Sequence, residues 1–404
     1  MIYNFDEIID RENNDSAKYD ERIKHFGTMD VLPLWIADMD FRVPAPIEKA
    51  LLDKVNQGIF GYVSRCEEYW DSLCDWQRRR NGWEIDKSLL SFCSGVVPSL
   101  AALIRQFSNE GDKILIQTPA YSDFFEVIEH GNREVLTNRL VEKDGVYGLD
   151  IADFESKLMQ SPKLFILCNP QNPVGRFWRK EELKQMGELC LRYGVPVVSD
   201  EIHADLMLWG NRHTPMAAVS SEIAANTITC TAVSKTFNLA GLQASTVVFN
   251  NQEQKKKFDA FWGALEIHRN NSFSLVASIA AYREGEEWLE QLISYLEGNI
   301  QFVHDYCKKY IPTIKTNIPE CTYLVWMDCR GLHKTNEELR EFMIKEAKLG
   351  LIPGSSFDPE LSGFMRMNVA CPRGILEKAL SQLKDAEEKR CSVYGERFLK
   401  KTGC

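Results

Sequence analysis

Short apolar runs and longer amphipathic stretches alternate through the middle of the chain, up to about residue 250. Apolar runs without polar alternation are typical of strands covered on both faces, whereas apolar residues spaced by three and four are typical of helices. In chain order, the predicted strands and helices are KILIQ, SDFFEVIEHG, EVLTN, KLFILC, EELKQMGELCLRYG, VPVVSDE, TITCTAV and STVVF. This order predicts an α/β fold with a largely parallel sheet that is covered by helices on both faces.

The flanking segments have a different pattern. PAPIEKALLDKVNQG predicts a helix that begins through Pro46 and ends at Gly58, and EEYWDSLCDWQRRRNGW predicts a second helix. The later part reads as a long helix at EEWLEQLISYLEGNIQFVHDYCKKYI, then a strand at CTYLVWMDC, a helix at NEELREFMIKEAKLG, a strand at FMRMNVA and a closing helix. We therefore predict a large α/β domain over residues 48–285 and a smaller α+β domain built from residues 1–47 and 286–404, with the long helix bridging them.

Composition and charge restrict the class of protein. The 404 residues are 44% hydrophobic and 26% charged, as in an ordinary globular chain with two or three domains. A net charge of -10 without a concentrated basic stripe argues against a nucleic-acid partner. No apolar segment approaches the ~20 residues of a membrane span, and the acidic amino terminus does not resemble a signal peptide. The twelve cysteines lack CxxC spacing, which favours reduced, buried thiols in a cytoplasmic protein.

Two residues suggest chemistry because each follows a predicted strand. Lys235 lies in TITCTAVSKTFNLAGLQ, and Asp200 ends the strand of VPVVSDEIH. An amine and a carboxylate at one edge of a parallel sheet would suit pyridoxal phosphate, whose aldehyde needs an amine and whose ring nitrogen needs an anion. Taken alone, Lys235 could equally be a charged surface residue, and Asp200 could equally be the N-cap residue of a helix. His203, three residues further on, is expected one helical turn away and either holds Asp200 in place or is structural.

Three further motifs suit the same cofactor, although each also has an ordinary structural explanation. In LFILCNPQNPVGR, Asn172 is a better donor to the phenolic oxygen than Asn169, but both are common turn residues. In SGVVPSLAALI, Gly95 precedes an apolar helix whose first N–H groups would favour a phosphate. Tyr121 follows the KILIQ strand, where its ring could stack on a pyridine face.

Taken together and in order, these motifs resemble a known family. TPAYSDF, CNPQNPVGR, SDEIHADL, SKTFNLAGLQ and MRMNVACPR resemble the fold-type I aminotransferase superfamily of pyridoxal-phosphate enzymes, and PLWIADMDF and SGVVPSL resemble its cystathionine β-lyase, or C–S lyase, branch. The resemblance extends from Trp35 to Arg373. It implies a mostly parallel seven-stranded sheet with helices on both faces, a smaller α+β domain, and a homodimer.

The resemblance also implies roles for individual residues. Lys235 would bind the cofactor covalently and act as the base at the substrate Cα, with Asp200 at the ring nitrogen and Tyr121 stacked on the ring as further catalytic groups. Asn172 would contact the phenolic oxygen of the cofactor, and His203 would be a further cofactor contact. The phosphate would be bound by the amides of Val96 and Val97, by the hydroxyls of Ser234 and Thr231, and by Tyr62 of the neighbouring subunit. The substrate would contact Arg366 through its α-carboxylate, together with Asn172, Trp35, Ala37 and Asp38.

One position departs from the wider superfamily pattern. Many aminotransferases have an arginine eight residues after the lysine, where this chain has Gln243, and the C–S lyase branch often lacks that arginine. We therefore predict β-elimination of L-cystathionine or related S-substituted L-cysteines to a thiol (homocysteine from cystathionine), pyruvate and ammonia. The alternatives are an aminotransferase acting on an L-amino acid and a 2-oxo acid, and a cofactor-binding regulator, for which a helix-turn-helix or basic segment is lacking.

Overall fold

The computed structural model describes the backbone of residues 1–402 and the side chains of residues 1–390. By its internal contacts the chain divides into two compact units. The large unit consists of Met1 and residues 42–293 and 320–322, and the small unit consists of residues 2–41, 294–319 and those from 323 onward. The predicted domain limits at residues 48 and 286 remain a prediction.

Helices occur in both units of the described chain, and the longest helix outside the carboxyl terminus, α12, begins in the large unit and ends in the small one. In chain order the helices are α1 (Ala17–Asp20), α2 (Arg22–Phe26), α3 (Ala45–Gln57), α4 (Glu67–Asn81), α5 (Val96–Phe107), α6 (Ser122–Glu129), α7 (Ile151–Leu158), α8 (Lys180–Tyr193), α9 (Ser221–Ala225), α10 (Gln252–Ala264), α11 (Ser272–Glu284), α12 (Glu286–Tyr310), α13 (Asn336–Glu341) and α14 (Arg373–Thr402).

The strands are short. In chain order they are β1 (Leu32–Pro33), β2 (Leu90–Cys93), β3 (Lys113–Thr118), β4 (Glu134–Arg139), β5 (Val141–Lys143), β6 (Val146–Gly148), β7 (Leu164–Cys168), β8 (Val197–Asp200), β9 (Thr227–Thr231), β10 (Ser245–Val248), β11 (Lys315–Thr316), β12 (Leu324–Asp328), β13 (Leu349–Gly350), β14 (Ile352–Pro353) and β15 (Phe364–Asn368).

Within residues 90–248, the large unit forms a seven-stranded sheet in the order β2-β10-β9-β8-β7-β3-β4. β10 is antiparallel to both of its neighbours, and the other neighbouring strands are parallel. The predicted mostly parallel α/β sheet is thus confirmed. Every residue of β7, β8 and β9 is buried, as expected of strands that are covered on both faces.

The core of the large unit lies between this sheet and its helices. Ile116 of β3, Ile166 of β7 and Val198 of β8 are buried together with Leu103 of α5 and Phe124 of α6. Burial of side chains of this size contributes about 1.5–3 kcal/mol each to stability. The core therefore holds the central strands, and with them their carboxyl ends, in fixed positions.

Two strand features lie outside the predicted order of elements. β2 has only four residues and pairs with the antiparallel strand β10. β5 and β6 form a hairpin that turns through Asp144 and Gly145, both with positive φ of 53° and 82°. Two such residues make the type I′ turn that joins short antiparallel strands.

Predicted helix limits agree with the structure near the amino end of the large unit. α3 has Pro46 in its first turn and ends at Gly58, which adopts a φ of 70°. α4 ends at Gly82, with a φ of 62°. Glycine at this position is favoured because a left-handed backbone costs it nothing.

The small unit contains a sheet, within residues 315–368, in the order β11-β12-β15-β14. The strands predicted at CTYLVWMDC and FMRMNVA are confirmed as β12 and β15, which are antiparallel with Trp326 opposite Arg366. The helix predicted at NEELREFMIKEAKLG is shorter than expected, because α13 is followed by a π-helical turn over Phe342–Glu346.

Two further predictions concern membrane spans and cysteine pairing. Of the helices described, none has both the length and the apolar character that crossing a bilayer requires. The ten cysteines whose side chains are described are free thiols, and eight of them are buried. The two other cysteines, Cys391 and Cys404, for which reduced thiols were also predicted, lie outside the residues whose side chains are described.

Candidate active site

The carboxyl ends of the central strands bring the predicted residues to one edge of the sheet. Asp200, the last residue of β8, lies opposite Cys168 of β7 and opposite Cys230 of β9. Asn172 lies shortly after Cys168, and Lys235 shortly after Cys230. Because the three strands end in register, the loops that carry Asn172 and Lys235 leave the sheet on either side of Asp200.

Asp200 is a buried carboxylate with an unusual affinity for protons. Its residue is 5% exposed, and its Oδ1 accepts a hydrogen bond of 3.1 Å from the backbone N–H of Ile202. Burial raises the pKa of Asp200 to about 7, Glu201 and Asp123 act in the same direction, and the positive charge of Lys235 opposes them. A carboxylate in this situation gains from a cationic partner, such as the protonated nitrogen of a pyridine ring.

Lys235 lies in the turn that follows β9, as predicted. The turn is closed by hydrogen bonds from Phe237 N to Val233 O and from Leu239 N to Ser234 O, both 2.9 Å. Lys235 itself is half-buried. These two hydrogen bonds hold the backbone on either side of Lys235 in place.

The loops that follow β7 and β3 are joined by a buried glutamine. Gln171 donates from Nε2 to the carbonyl of Pro119 at 2.8 Å. Its neighbour Asn172 is 3% exposed, and Tyr121 is the N-cap residue of α6, with its hydroxyl donating to Asp123 at 2.8 Å. Asn172 and Tyr121 are therefore carried by loops that are fixed to each other.

The start of α5 provides N–H groups for an anion. Gly95 is the N-cap residue and offers no side-chain acceptor to the first turn, which begins with Val96 and Val97. Ser99 donates from Oγ to the Gly95 carbonyl at 2.8 Å, and Ser245 of β10 lies 3.4 Å from that hydroxyl. The positive end of the helix dipole favours a phosphate here by ~0.3–1 kcal/mol or more.

The remaining residues predicted at the phosphate lie at the same edge of the sheet. Thr231 is the buried last residue of β9, and Ser234 precedes Lys235 and is half-buried. Gln243 is exposed, has a φ of 51°, and comes two residues before the start of β10.

His203 is 4% exposed and lies in a turn. The expectation that it follows Asp200 by one turn of helix is wrong, because residues 202–205 form turns instead. A hydrogen bond from Leu206 N to His203 O, of 3.0 Å, closes one of them.

Glu201 and His213 form a buried pair that the sequence did not reveal. Glu201 accepts hydrogen bonds from His213 Nε2 at 2.9 Å, from the Ser199 hydroxyl at 2.8 Å and from Met216 N at 2.9 Å. Both members of the pair are at most 5% exposed. A second carboxylate beside Asp200 was the only signal available in the sequence, because His213 and Met216 come from a later segment.

Arg366, on β15 of the small unit, is 2% exposed and firmly held. Its NH2 group donates to the carbonyl of Trp35 at 3.0 Å, and its guanidinium carbon lies 4.8 Å from the ring centre of Phe357. A planar guanidinium held against an aromatic ring keeps its remaining donors in one orientation.

The predicted segment PLWIADMDF is bound to the same sheet through its backbone. Asn368 donates from Nδ2 to the carbonyls of Ile36 and Asp38, both at 2.6 Å. The hydroxyl of Tyr323 donates to the carbonyl of Ala37 at 2.9 Å. Together with the bond to Trp35, four consecutive carbonyls are thus held by side chains of the small unit.

The side chains of this segment also have partners within the small unit. Asp38 forms ion pairs with Arg11 at 2.8 Å and with Lys18 at 3.4 Å. The Trp35 indole donates to the carbonyl of Lys18 at 2.9 Å, and its ring centre lies 4.3 Å from that of His25. Their place in a substrate pocket stays a prediction.

Tyr62 is 96% exposed and lies in a segment held by two arginines. Arg65 donates to the carbonyl of His268 at 3.1 Å, and in return Arg269 donates to the carbonyl of Val63 at 3.2 Å. The guanidinium of Arg269 is also 5.8 Å from the ring centre of Tyr62. These reciprocal bonds fix a segment whose aromatic side chain faces solvent in the single chain.

A cavity of about 540 Å³ in the large unit lies beside these arginines and apart from the predicted site. Its lining includes none of the predicted site residues. The lining residues are Val63, Ser64, Arg65, Trp70, Lys87, Ser88, Leu90, Ser91, Phe92, Lys255, Asp259, Trp262, Ile267, His268 and Arg269.

The fold and the site together define a class of protein. A mostly parallel sheet that carries an amine, a buried carboxylate and a helix start at its carboxyl edge is the arrangement expected of a fold-type I transferase. The family model for aminotransferases of class I and II matches residues 30–383, and the chain belongs to that family.

Individual relatives narrow the comparison. The chain is 41% identical, over 95% of its length and 99% of the relative, to cystathionine beta-lyase PatB of Bacillus subtilis. It is similar to a solved PLP-bound putative aminotransferase of Clostridium difficile, at 45% identity and a TM-score of 0.94, over 95% and 100% of the two chains. It is also similar to cystalysin of Treponema denticola, solved with pyridoxal 5'-phosphate, at 33% identity and a TM-score of 0.93, over 96% and 100%.

Proposed function

We propose that this chain is a pyridoxal-phosphate-dependent C–S lyase. It cleaves L-cystathionine, or a related S-substituted L-cysteine, to a thiol, pyruvate and ammonia, and the thiol from cystathionine is homocysteine. The observation that carries the proposal is the register of β7, β8 and β9, which places the loops of Asn172 and Lys235 on either side of the buried Asp200. The choice of reaction is supported by the likeness to the cystathionine beta-lyase of Bacillus subtilis.

The residues at this edge fit the cofactor. Bound pyridoxal phosphate supplies an aldehyde that reacts with amines and a protonated ring that accepts electrons. Asp200 fits the ring nitrogen, because a positive charge there would offset the cost of keeping its carboxylate ionised in a buried position. Asn172 would donate to the phenolic oxygen, Tyr121 would cover one face of the ring, and His203 would pack in the turn beside Asp200.

The phosphate would lie at the start of α5. The N–H groups of Val96 and Val97 would donate to it, and the helix dipole would favour its charge. The hydroxyls of Ser234 and Thr231 would donate from the neighbouring strand end and turn. Tyr62 would add a hydroxyl from the partner subunit.

The substrate would be oriented by its α-carboxylate. Arg366 suits this task because its fork of donors matches a carboxylate and its orientation is fixed by Trp35 and Phe357. We further propose that Trp35, Ala37 and Asp38, together with Asn172, border the place where the substrate binds.

Lys235 would move the proton. Its uncharged amine accepts the proton from the substrate Cα. The electron pair of the broken C–H bond then forms the Cα–Cβ double bond, and sulfur leaves with the pair of the Cβ–S bond and takes a proton as the thiol. Water hydrolyses the remaining three-carbon fragment to pyruvate and ammonia.

We propose a homodimer in the cytoplasm as the working form. The exposed ring of Tyr62 supports a partner surface, because aromatic side chains are enriched where subunits meet. The free thiols of the described cysteines support a reducing compartment. The acidic chain gives no support for a nucleic-acid or membrane partner.

Aminotransfer is the second candidate reaction, favoured by the likeness to the putative aminotransferase of Clostridium difficile. It begins with the same removal of the Cα proton, but the amino group then passes to a 2-oxo acid. The two reactions therefore differ in their products and not in the residues that start them.

The test is a product assay on the purified enzyme loaded with pyridoxal phosphate. With cystathionine and a panel of S-substituted cysteines, we expect pyruvate and thiol in equal amounts, and little transfer of the amino group to pyruvate or 2-oxoglutarate. The Lys235→Ala variant should lose both this activity and the visible absorbance band of the lysine-bound cofactor. Amino-group transfer without thiol release would overturn the lyase assignment in favour of the second candidate.

A further inference from the structure

Asp205 is a buried carboxylate that joins three segments of the large unit. Its side chain accepts hydrogen bonds from the hydroxyl of Thr236 and from the indole N–H of Trp76, both at 2.9 Å. The Asp205 residue is 8% exposed, Thr236 is 1% exposed and Trp76 is fully buried. A carboxylate that has left water needs partners of this kind, and the guanidinium of Arg80, with Nε 3.9 Å from Asp205 Oδ1, adds a positive charge beside it.

The hydrogen bond between Asp205 and Thr236 connects the two segments that carry Asp200 and Lys235. Thr236 is the residue after Lys235, and Asp205 belongs to the segment that begins at Asp200. Hydrogen bonds from Ala204 N to Glu201 O, of 3.1 Å, and from Leu206 N to His203 O, of 3.0 Å, make that segment a series of tight turns. The path from Asp200 to Asp205 is therefore short and stiff.

The other side of the Lys235 turn is fixed by aromatic packing. Phe237 is fully buried, and its ring centre lies 5.7 Å from that of Trp76 and 6.1 Å from that of Trp288. Gly285 makes this packing possible, because a Cβ at that position would lie 2.4 Å from the Phe237 ring. The hydrogen bond to Thr236 then fixes the remaining rotation of the turn.

These contacts close a ring within the large unit. It runs from Asp200 through the turns to Asp205, across the hydrogen bond to Thr236 and Lys235, and back along β9 to Cys230, which lies opposite Asp200. We propose that Asp205 is a positioning residue that sets the Lys235 amine relative to Asp200 through the hydroxyl of Thr236. This inference rests on the assignment of Lys235 proposed above.

The test compares two buried threonine hydroxyls, one beside Lys235 and one at the far end of β9. Thr236→Val removes the hydroxyl next to Lys235 and keeps the shape of the side chain. Thr227→Val makes the same change at the start of β9, where the 2% exposed residue donates to the carbonyl of Ile223 at 2.7 Å. In the loaded enzyme, the pH midpoint of the visible absorbance band should shift by roughly one unit in Thr236→Val, as expected for the loss of one buried hydrogen bond. It should stay at the wild-type value in Thr227→Val, although both variants lower the melting temperature.

Conservative variants separate positioning from a purely structural role. Thr236→Ser restores a hydroxyl and should restore the midpoint, and Thr236→Ala gives a second hydroxyl-free variant if Thr236→Val does not fold. If Thr236→Val and Thr227→Val both lower the melting temperature and leave the midpoint unchanged, Asp205 is only a structural carboxylate. If the wild-type protein has no visible band that Lys235→Ala removes, the assignment of Lys235 itself is wrong, which is a distinct result.

Discussion

Arg366 donates a hydrogen bond of 3.0 Å to the backbone carbonyl of Trp35, 331 residues earlier in the chain. One of the five N–H donors of the guanidinium is thereby used to fix its orientation, and the Phe357 ring fixes its plane. Lysine could supply the charge at this position, but not a fork of donors in a set direction.

Arg366→Lys should therefore weaken substrate binding more than it slows the chemical step. We expect kcat/KM for cystathionine to fall roughly 10- to 100-fold, mainly through a higher KM, because one charge-assisted hydrogen bond is lost. Steady-state kinetics with pyruvate detection give both constants.

Arg330→Lys is the matched control. Arg330 also lies in the small unit with its guanidinium carbon 4.8 Å from an aromatic ring, that of Phe364, but its side chain is about half exposed and pairs with Asp328. This variant should keep wild-type kinetics. If Arg366→Lys and Arg330→Lys had the same kcat and KM, the result would argue against binding of the substrate carboxylate by Arg366.

Asp200 should make the cofactor-free protein less stable as pH rises. Burial raises its pKa from the ordinary 3.8 to about 7, so between these values the native state keeps a proton that the unfolded state has released. The free energy of unfolding therefore falls with increasing pH over this window. Asp200→Asn cannot ionise, and above pH 7 it should be more stable than the wild type by on the order of 4 kcal/mol at most.

Urea unfolding of the cofactor-free protein at a series of pH values measures this difference. Asp144→Asn, in the exposed hairpin turn, should follow the wild-type curve. Parallel curves for wild type and Asp200→Asn would contradict the raised pKa. After loading, the order should reverse, because a neutral amide cannot stabilise a protonated ring.

Tyr62 should act in the site of the partner subunit, and mixed dimers can test this. Tyr62→Ala and Lys235→Ala should each be nearly inactive alone. In a hybrid of the two, one site contains Lys235 from one subunit and Tyr62 from the other, and the second site lacks both. Because random mixing of equal amounts makes about half of the dimers hybrids, about a quarter of the wild-type number of sites should be active.

The control mixes Lys235→Ala with Arg366→Ala. If Arg366 acts in the site of its own subunit, neither site of that hybrid is complete, and no activity returns. Failure of the Tyr62→Ala mixture to regain activity, with hybrids verified by mass, would place Tyr62 outside the partner's site.

Gln243→Arg should tighten cofactor binding. A charge-assisted contact to the phosphate replaces a neutral one, which corresponds to roughly tenfold in the dissociation constant. The side chain of Gln243 is exposed, which leaves space for the longer residue. Equilibrium titration of the cofactor-free protein measures the change, and Gln243→Glu should shift the constant in the opposite direction.

β7, β8 and β9 of the large sheet could be predicted from their composition. They are buried at every residue and consist largely of apolar and β-branched residues. β2 is also buried but contains no β-branched residue, and the β5–β6 hairpin is mostly exposed. Their pairing depends on neighbours that a local pattern does not contain.

Some features of the site could also be predicted from the sequence, and others could not. Lys235 and Asp200 could be predicted because chain order alone puts both at strand ends. The bonds from Asp205 to Thr236 and from Glu201 to His213 could not, since each joins segments whose distance is decided by the folded chain. The ion pairs of Asp38 with Arg11 and Lys18 were hidden for the same reason.

The four carbonyls of residues 35–38 are acceptors that any amino acid provides. Their donors, Arg366, Asn368 and Tyr323, are at most 2% exposed, and leaving one unpaired would cost about 1–3 kcal/mol. The path of this segment is thus specified by its partners and not by its own side chains. The side chains at these four positions can therefore change in the course of evolution while the backbone that presents them stays in place.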